Sequence, residues 1–531
     1  MHKSIRMALL SLSIIFPCAV MAGTAFEITP QVTAIDMNSA GQAVINYTVT
    51  NMINKTLTDI TIHPENGLSN NVKKAVFLSN NTCGSSLGVH QSCRFTITLK
   101  GNNNLPSNVQ LSPSVCAFNN AICSQPELSA RVSISIGYEM NVAVGEDFAA
   151  SPSPPLIATS EDSGVHWSKV DPSQAGFLTN GFFLTSSCMN NFCVAGGSAG
   201  SAPLLVIRQN NKVWSRVALN FVTNGSINTT SCTNSFCLSG GQNLTTGAPL
   251  LAIGTTSWSE VNLSGLVTLG VLNGSVCFNN NCILAGQDLS TTSPPLIIVR
   301  NSNGTLSRPS LASLTNHGSF YSVSCSSSVC AAVGQDLNSS GPLLAVSNDN
   351  GNHWNNINLG SISTAGSLRS VSCLDKFCIA VGVDDTSGAP LIVMSANNGS
   401  TWAQPSITGL TNNGFFTAVN CSVTTCAAVG EDNNGSAPPL LVVTNDKGAS
   451  FRIVDISSFS NNAMLNTVTC LGSFCMAAGE DNNNSQPPFI VTSLDNGVTW
   501  TSANMTNITD FGVFYGSAIL KNLRDKIHLS S

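Results

Sequence analysis

An acidic side chain recurs at one position along this 531-residue sequence. Six short apolar runs end in glycine, one variable residue and then an aspartate, and these aspartates are Asp147, Asp288, Asp336, Asp384, Asp432 and Asp481. Two further runs have Ala199 and Asn243 there. One hypothesis is a ring of carboxylates that binds a cation such as calcium, a polyol or a basic partner loop. The alternative is that each aspartate accepts hydrogen bonds from the following backbone amides in an Asx turn, which the repetition favours.

Glutamates next to these aspartates give a second chemical hypothesis. Glu146, Glu431 and Glu480 each precede an aspartate, and a pair of them at one cleft would suit a glycosidase. A sialidase would need three arginines and a tyrosine–glutamate pair, and only Tyr321 and Tyr515 lie within the repeats. The sequence therefore assigns no catalytic residue, and glycoside hydrolysis stays the alternative to a binding function.

Cysteine usage indicates disulfides. Without Cys18, eighteen of the 19 cysteines remain, an even number. Seven pairs share the spacing C-x4-C: Cys188 and Cys193, Cys232 and Cys237, Cys277 and Cys282, Cys325 and Cys330, Cys373 and Cys378, Cys421 and Cys426, and Cys470 and Cys475. The other four are Cys83, Cys93, Cys116 and Cys123. A zinc site is the alternative, but it needs about four ligands, usually at shorter spacing, so all eighteen are predicted to form disulfides.

The N-terminus and the charge restrict location and partners. Residues 1–22 have a basic start, an apolar run and a small-residue cleavage site, which predicts a signal peptide and an exported chain: secreted, periplasmic or on the cell surface. No later segment is apolar enough to span a membrane. Loss of Lys3 and Arg6 leaves 19 basic against 27 acidic side chains, a net charge of −8, so nucleic acid is not an expected partner.

A repeat of about 48 residues must position these side chains. One unit contains four short β-rich runs, Tyr321–Ser324, Ala331–Gly334, Leu343–Ser347 and His353–Ile357, separated by turn residues. Four short strands per unit predict an all-β fold of β-propeller type. The apolar residues five positions before the first cysteines are expected to pack between blades: Phe183, Ile227, Phe320, Leu368 and Phe416.

The number of blades follows from the two ends of the repeat region. The apolar run ending in glycine occurs eight times, but the first copy lacks an inner strand of its own. The C-terminal run 514–520 supplies one, with Leu520 at the first-cysteine position and Asn141 at the second. An eight-bladed propeller over 139–522, closed by the strand 514–520, is predicted; seven blades is the alternative, and it would leave a strand unpaired.

A turn motif accompanies the tryptophans. S-x-D-x-G-x-x-W is intact at Ser160–Trp167, Ser347–Trp354 and Ser493–Trp500. It resembles the Asp-box, or BNR, hairpin of propellers such as sialidases and sortilin-type receptors. The resemblance implies that aspartate accepts backbone N–H groups, glycine supplies a positive φ and the aromatic ring packs between blades. In those families the motif lies away from the active site, so it identifies architecture and not chemistry.

The segment 23–138 alternates apolar and polar residues, which predicts a small β-sandwich. Its stretch from Cys83 to Phe95 resembles Ig-like domains of bacterial secreted proteins. Residues 523–531 form a tail. The expected protein is a monomeric, exported bacterial binding or interaction protein whose propeller loop face binds a protein or glycan, with no cofactor unless calcium binds the aspartates.

Overall fold

We describe a computed structural model of the chain over residues 24–38, 42–101, 108–177, 180–189, 192–209, 213–278, 280–311, 313–422, 425–483, 486–505 and 507–522. The predicted signal peptide and the tail 523–531 lie outside these residues. The chain divides into two compact units. The first comprises residues up to 35, 44–99 and 110–133, and the second comprises 36–43, 100–109 and the chain from 134 onward.

The first unit is built of short antiparallel strands. Its strands are Phe26–Pro30, Gln42–Asn51, Leu57–Thr58, Thr61–His63, Val76–Ser79, Ser86–Leu87, Ser92–Lys100, Ser114–Ala117 and Ile122–Ser124. It also contains the α-helix Asn70–Lys73 and the 3-10 helix Leu128–Ala130. Tyr47 stacks on Phe95 in the core, with 5.0 Å between ring centroids. All four cysteines that the structure describes in this unit form disulfides, as predicted, and the structure gives the pairing that the sequence left open: Cys83 with Cys93 and Cys116 with Cys123.

The second unit repeats one antiparallel sheet, and we number these sheets 1 to 8. Sheet 1 contains Val132–Asp147, Pro155–Ser160, Ser168–Lys169 and the C-terminal strand Gly512–Asn522. Ala34–Asn38 and Asn108–Leu111 also pair with Val132–Asp147, and the predicted boundary at 138 lies within that strand. The α-helix Pro172–Ala175 follows sheet 1.

Sheets 2 to 8 each run from an innermost strand outward in chain order. Their strands are Gly181–Met189, Phe192–Ala199, Ala202–Arg208 and Trp214–Arg216 in sheet 2; Gly225–Cys232, Cys237–Asn243, Pro249–Gly254 and Trp258–Glu260 in sheet 3; Gly270–Phe278, Asn281–Asp288, Pro295–Arg300 and Leu306–Ser307 in sheet 4; Gly318–Cys325, Cys330–Asp336, Pro342–Ser347 and Asn355–Asn356 in sheet 5; Gly366–Leu374, Phe377–Asp384 and Ala389–Ser395 in sheet 6; Gly414–Cys421, Cys426–Asp432, Pro439–Thr444 and Arg452–Ile453 in sheet 7; and Ala463–Leu471, Phe474–Asp481, Pro488–Ser493 and Thr501–Ser502 in sheet 8. The fold is therefore all-β and β-propeller-like. No helix within the described ranges is long and apolar enough to cross a membrane.

Cysteines join the two inner strands of sheets 2 to 8. In each of these sheets the two cysteines are directly opposite each other across the pair, with 4.0–4.1 Å between Cα atoms. This separation is shorter than the roughly 4.4 Å lower bound of ordinary disulfides, because directly opposed residues of an antiparallel pair approach closely. The predicted C-x4-C disulfides are confirmed.

The glycine that ends each apolar run has a steric cause. The innermost strand contains one extra residue at this level, which forms a β-bulge. A Cβ atom at Gly241 would lie 1.9 Å from the Ser226 carbonyl oxygen, and one at Gly430 would lie 2.0 Å from that of Phe415. Only glycine allows the two backbones to approach this closely.

Apolar clusters fill the space between neighbouring sheets, since successive strand residues point to opposite faces. One such cluster lies between each pair of consecutive sheets, and the cluster around Phe474, Ala143 and Phe514 joins sheet 8 to sheet 1. The predicted inter-sheet residues Phe183, Ile227, Phe320, Leu368 and Phe416 are fully buried in these clusters.

Backbone hydrogen bonds link the sheets in the same order. In each sheet, a backbone carbonyl in the loop after the second strand accepts the N–H of the first residue of the next sheet's innermost strand. Between sheets 1 and 2, Ser153 accepts the N–H of Gly181, and between sheets 7 and 8, Ala437 accepts the N–H of Ala463. The Gln486 carbonyl of sheet 8 accepts the N–H of Gly512 in sheet 1 at 3.0 Å, so this series of bonds returns to its starting sheet.

The C-terminal strand differs from the sequence prediction by one residue. It pairs with Val132–Asp147, but the register places Ile519, and not Leu520, opposite Asn141 at the cysteine positions. Tyr515 is the bulged residue, since Gly516 pairs with Val144 and Phe514 with Gly145. Asn141 is fully buried, and neither polar atom of its side chain has a hydrogen-bond partner.

The S-x-D-x-G-x-x-W turns have the geometry that their residues predict. At the first turn Asp162 accepts the N–H of His166, Gly164 has φ +83° and donates to the Ser160 hydroxyl, and Trp167 Nε1 donates to the Gly164 carbonyl. The turns at Ser347 and Ser493 repeat these bonds. The motif is therefore used to fold the turn and to bury the ring.

Candidate functional site

The recurring aspartates all build turns. The Oδ1 atom of each aspartate accepts the N–H of the residue two positions later, at 2.9–3.1 Å. The aspartates are Asp147, Asp288, Asp336, Asp384, Asp432 and Asp481. The hypothesis that each recurring aspartate forms an Asx turn is thus confirmed. Among the described residues, no group of three or more His, Cys, Asp or Glu side chains could hold a metal ion. Their role in ligand binding stays a prediction.

A hydroxyl before the innermost strand holds most of these aspartates from the other side. Thr315 donates to Asp336, Ser363 to Asp384, Thr411 to Asp432 and Ser460 to Asp481, at 2.7–3.0 Å. In sheet 1 the hydroxyl comes from the opposite end of the repeat region, because Thr509 donates to Asp147 at 2.6 Å. This bond ties the C-terminal segment to the first sheet.

Asp147 is also the most buried of the six. It is 2% exposed and forms an ion pair with Lys169 on the outermost strand of its sheet. Burial alone would raise its pKa, but hydrogen bonds from Lys169, Thr509 and the amide of Ala149 outweigh burial and hold the pKa below its ordinary value. Asp288 has a similar cation, Arg308, at 2.7 Å.

The glutamates that precede these aspartates break the repeat. Sheets 7, 8 and 1 carry Glu431, Glu480 and Glu146, whereas the equivalent residues of sheets 2 to 6 are uncharged: Ser198, Gln242, Gln287, Gln335 and Val383. By strand alternation, Glu480 is on the face of Ala478, which packs against Phe514 of sheet 1. Glu431 likewise is on the face of Val429, which packs against Leu465 of sheet 8.

Electrostatic coupling links Glu431 to Glu480, and it links Tyr515 to Glu146 and Glu480. Burial raises the pKa of all three glutamates, and the charge of Glu480 raises that of Glu431 further. Burial, then Glu146 and Glu480, raise the pKa of Tyr515 to about 12. We call Glu146, Glu431, Glu480 and Tyr515 the acidic crescent. Its half-buried carboxylates lack a described counter-ion, so the arrangement is suited to hold a cationic group or to deliver a proton.

Further symmetry-breaking residues flank the crescent. Tyr515 occupies the bulge of the innermost strand, where sheets 3, 4 and 8 have Asn228, Asn273 and Asn466 that donate to a carbonyl of the next sheet. Sheets 5 and 6 have Tyr321 and Arg369 there. The Arg369 guanidinium lies 4.4 Å from the centroid of the Phe415 ring in sheet 7. From the sequence, Tyr321 and Tyr515 were noted only as the tyrosines of the repeats, and neither they nor Arg369 was assigned to a site, although alignment of the repeats at the bulge would have separated them from the asparagines.

The raised pKa of Glu431 predicts an effect on stability. An acid whose pKa is higher in the folded state binds more protons when folded, so stability falls as the pH rises through the interval between its ordinary and raised pKa. Glu431→Gln removes this cost, and we expect a higher Tm than wild type at pH 7. The difference should vanish below the ordinary glutamate pKa of about 4.3. Thermal melts of both proteins across pH check this, and a lower Tm for the variant at pH 7 would contradict it.

Comparisons with known proteins do not assign the chain to a family. No family model matches it, and no curated protein matches it. Among solved structures, puromycin hydrolase is similar with 9% identity and a TM-score of 0.41, over 64% of this chain and 57% of that one. VesB protease of Vibrio cholerae matches with 13% identity over 21% of this chain and 32% of that one, at a TM-score of 0.16. A DUF4623 family protein from Bacteroides eggerthii matches with 10% identity over 72% and 86%, at 0.25.

Proposed function

We propose that this chain is an exported binding protein, whose second unit is an eight-bladed propeller that binds a basic group of a protein or glycan at the acidic crescent. The observation that carries the proposal is the placement of three half-buried glutamates on the consecutive sheets 7, 8 and 1. The equivalent positions elsewhere are neutral. Because a repeat explains symmetry and not its local loss, we attribute the charge at these three equivalent positions to the binding of a ligand.

Several features support the finer description of the fold. Eight sheets, eight inter-sheet clusters and a returning series of hydrogen bonds favour eight blades over seven. The turns at Ser160, Ser347 and Ser493 favour the Asp-box resemblance. In this proposal the first unit is the Ig-like domain and acts as a spacer or a second contact.

Export is supported by the disulfides. Nine are present, and such bonds persist in oxidising compartments and are rare in the cytosol. The chain is thus suited to an oxidising environment outside the cytosol. The predicted signal peptide over 1–22 is the proposed route to it.

Loss of the crescent charges tests the binding function. We expect wild-type protein on an array of glycans and peptides to retain probes with a free ammonium or guanidinium group, and Glu431→Gln with Glu480→Gln to weaken this binding by about tenfold or more. Glu260→Gln, on an outermost strand, is the matched control for loss of one exposed carboxylate. Retention of neutral probes only, or equal binding by the double variant, would contradict the proposal.

A second candidate is glycoside hydrolysis, favoured by the coupling of Glu431 and Glu480. A carboxylic acid whose pKa is raised by burial and by a neighbouring carboxylate is the usual general acid of such enzymes. Release of nitrophenol from aryl glycosides by wild type, lost in Glu431→Gln and retained in Glu260→Gln, would replace the binding function with this one. No release from any of the glycosides leaves binding as the function.

A further inference from the structure

Exposed leucines lie in and beside the loops that follow the second strands of sheets 3, 4 and 5. Leu244, Leu289 and Leu337 directly follow Asn243, Asp288 and Asp336, and Leu269 precedes the innermost strand of sheet 4. Their exposed fractions run from 36 to 54%. We call these four residues the leucine arc. Contiguous exposed apolar groups on a soluble protein mark interaction surfaces more often than scattered ones do.

Backbone bonds place the arc at equivalent points of successive sheets. Leu289 donates its N–H to the Leu269 carbonyl at 3.1 Å, and Leu337 donates to that of His317 at 2.9 Å. Leu269 also reaches the loop of sheet 3, because a Cβ atom at Gly247 would lie 3.2 Å from its Cδ2. The side chain of Leu269 thus lies against the loop of sheet 3 that contains Leu244.

The same positions are polar in sheets 6, 7 and 8, whereas in sheet 1 they are Phe148 and Phe511, whose ring centroids lie 5.1 Å apart. Asn433 donates to the Asn413 carbonyl in sheet 7, Asn482 to that of Asn462 in sheet 8, and Asp385 to that of Ala365 in sheet 6. In a closed ring of eight, sheet 4 lies across from sheet 8, which carries Glu480. The leucine arc and the acidic crescent therefore lie on opposite sides of the ring.

We propose that this face binds an extended segment of a partner protein, with a lysine or arginine on the acidic crescent and leucine-sized side chains on the leucine arc. The inference rests on the proposed function and names its ligand as polypeptide. Carboxylates provide charge complementarity for the basic residue, and apolar burial of about 25 cal/mol per Å² stabilises the other end. A glycan is disfavoured at the arc, because leucines offer no aromatic face on which a sugar ring stacks.

An array of ten-residue peptides tests the inference on the full chain. In a Gly/Ser background, one set carries one Lys and two Leu at separations of about two to six residues, and other sets carry Lys alone, Leu alone or neither. We expect the best peptides with both to bind wild type about tenfold more tightly than those with Lys alone. Leu244→Ser with Leu289→Ser and Leu337→Ser should abolish this advantage and leave binding of Lys-only peptides unchanged.

Val498→Ser is the matched control, since Val498 is as exposed as Leu244, at 54%, but lies in an S-x-D-x-G-x-x-W turn. The Val498→Ser protein should still bind the peptides with both Lys and Leu about tenfold more tightly than the peptides with Lys alone. Equal wild-type binding of Lys-only and Lys-plus-Leu peptides would overturn this inference and leave the proposed function standing. Binding of no basic peptide, with neutral glycans retained, would overturn both. The comparison among peptides uses wild-type protein, so it stays decisive even if a leucine variant folds poorly.

Discussion

A cysteine pair at Asn141 and Ile519 should raise the stability of this protein more than any other single cross-link in the repeat. These residues lie opposite each other at the positions that hold disulfides in sheets 2 to 8. The new bond would close a loop of roughly 380 residues, for which chain entropy predicts about 6 kcal/mol. A C-x4-C bond closes only a few residues and is expected to contribute about 2 kcal/mol on the same scale.

The pair also removes an unfavourable group. Asn141 buries an amide without a partner, which costs about 1–3 kcal/mol, so Asn141→Cys alone should be neutral or stabilising. Thermal and guanidinium unfolding of Asn141→Cys with Ile519→Cys, after mass spectrometry has verified the bond, measures the gain relative to each single variant. A verified cross-link with no gain over the single variants would contradict the closure of the ring by the C-terminal strand.

Asp147→Ala should destabilise the protein by about 3 kcal/mol, because it leaves Lys169 without its buried partner and releases Thr509. The lowered pKa gives the pH dependence: the carboxylate stabilises the fold above the ordinary aspartate pKa, and this contribution is lost as the pH falls through the lowered value. The difference in unfolding free energy between wild type and variant should therefore be largest near neutral pH and shrink in acid.

Asp481→Ala is the control for this substitution. Asp481 builds the same turn with the Asn483 amide and the Ser460 hydroxyl, but all of these residues belong to sheet 8. Its loss should cost about 1 kcal/mol. Equal effects of the two substitutions in denaturant unfolding would show that Asp147 contributes only a turn, and that its contacts with Lys169 and Thr509 do not stabilise the closing sheet.

The repeat made most of the fold predictable. Cysteine and glycine spacing located the two inner strands of each sheet. This was possible because a disulfide requires cysteine, and a close backbone approach requires glycine, at fixed positions of the repeat. The predicted run Tyr321–Ser324 is part of the strand Gly318–Cys325. The register of the closing strand was wrong by one residue, since its cysteines are absent and Phe514 was aligned with Phe415, whereas it pairs with a glycine as Phe416 does.

The candidate site was predictable only in part. Asp336 and Asp432 stood out by repetition, yet repetition reflects their role in turns. Glu146, Glu431 and Glu480 were noted as candidates for a carboxylate pair, and the coupling of Glu431 with Glu480 required the packing of sheets 7 and 8. Arg369 was not predicted, because a bulge interrupts the alternation from which side-chain direction is inferred.

The pH dependence of ligand binding tests the central claim most directly. For a lysine-containing peptide retained by wild type, titration calorimetry from pH 8 to pH 4 should show affinity falling as the glutamates of the acidic crescent take up protons. Because burial raises the pKa of Glu431 and Glu480, this loss should begin above the range of an ordinary glutamate. Glu431→Gln with Glu480→Gln should leave only the smaller pH dependence that Glu146 contributes. Affinity that stays constant over this range, or that falls equally in the double variant, would contradict the binding of a basic group at this site.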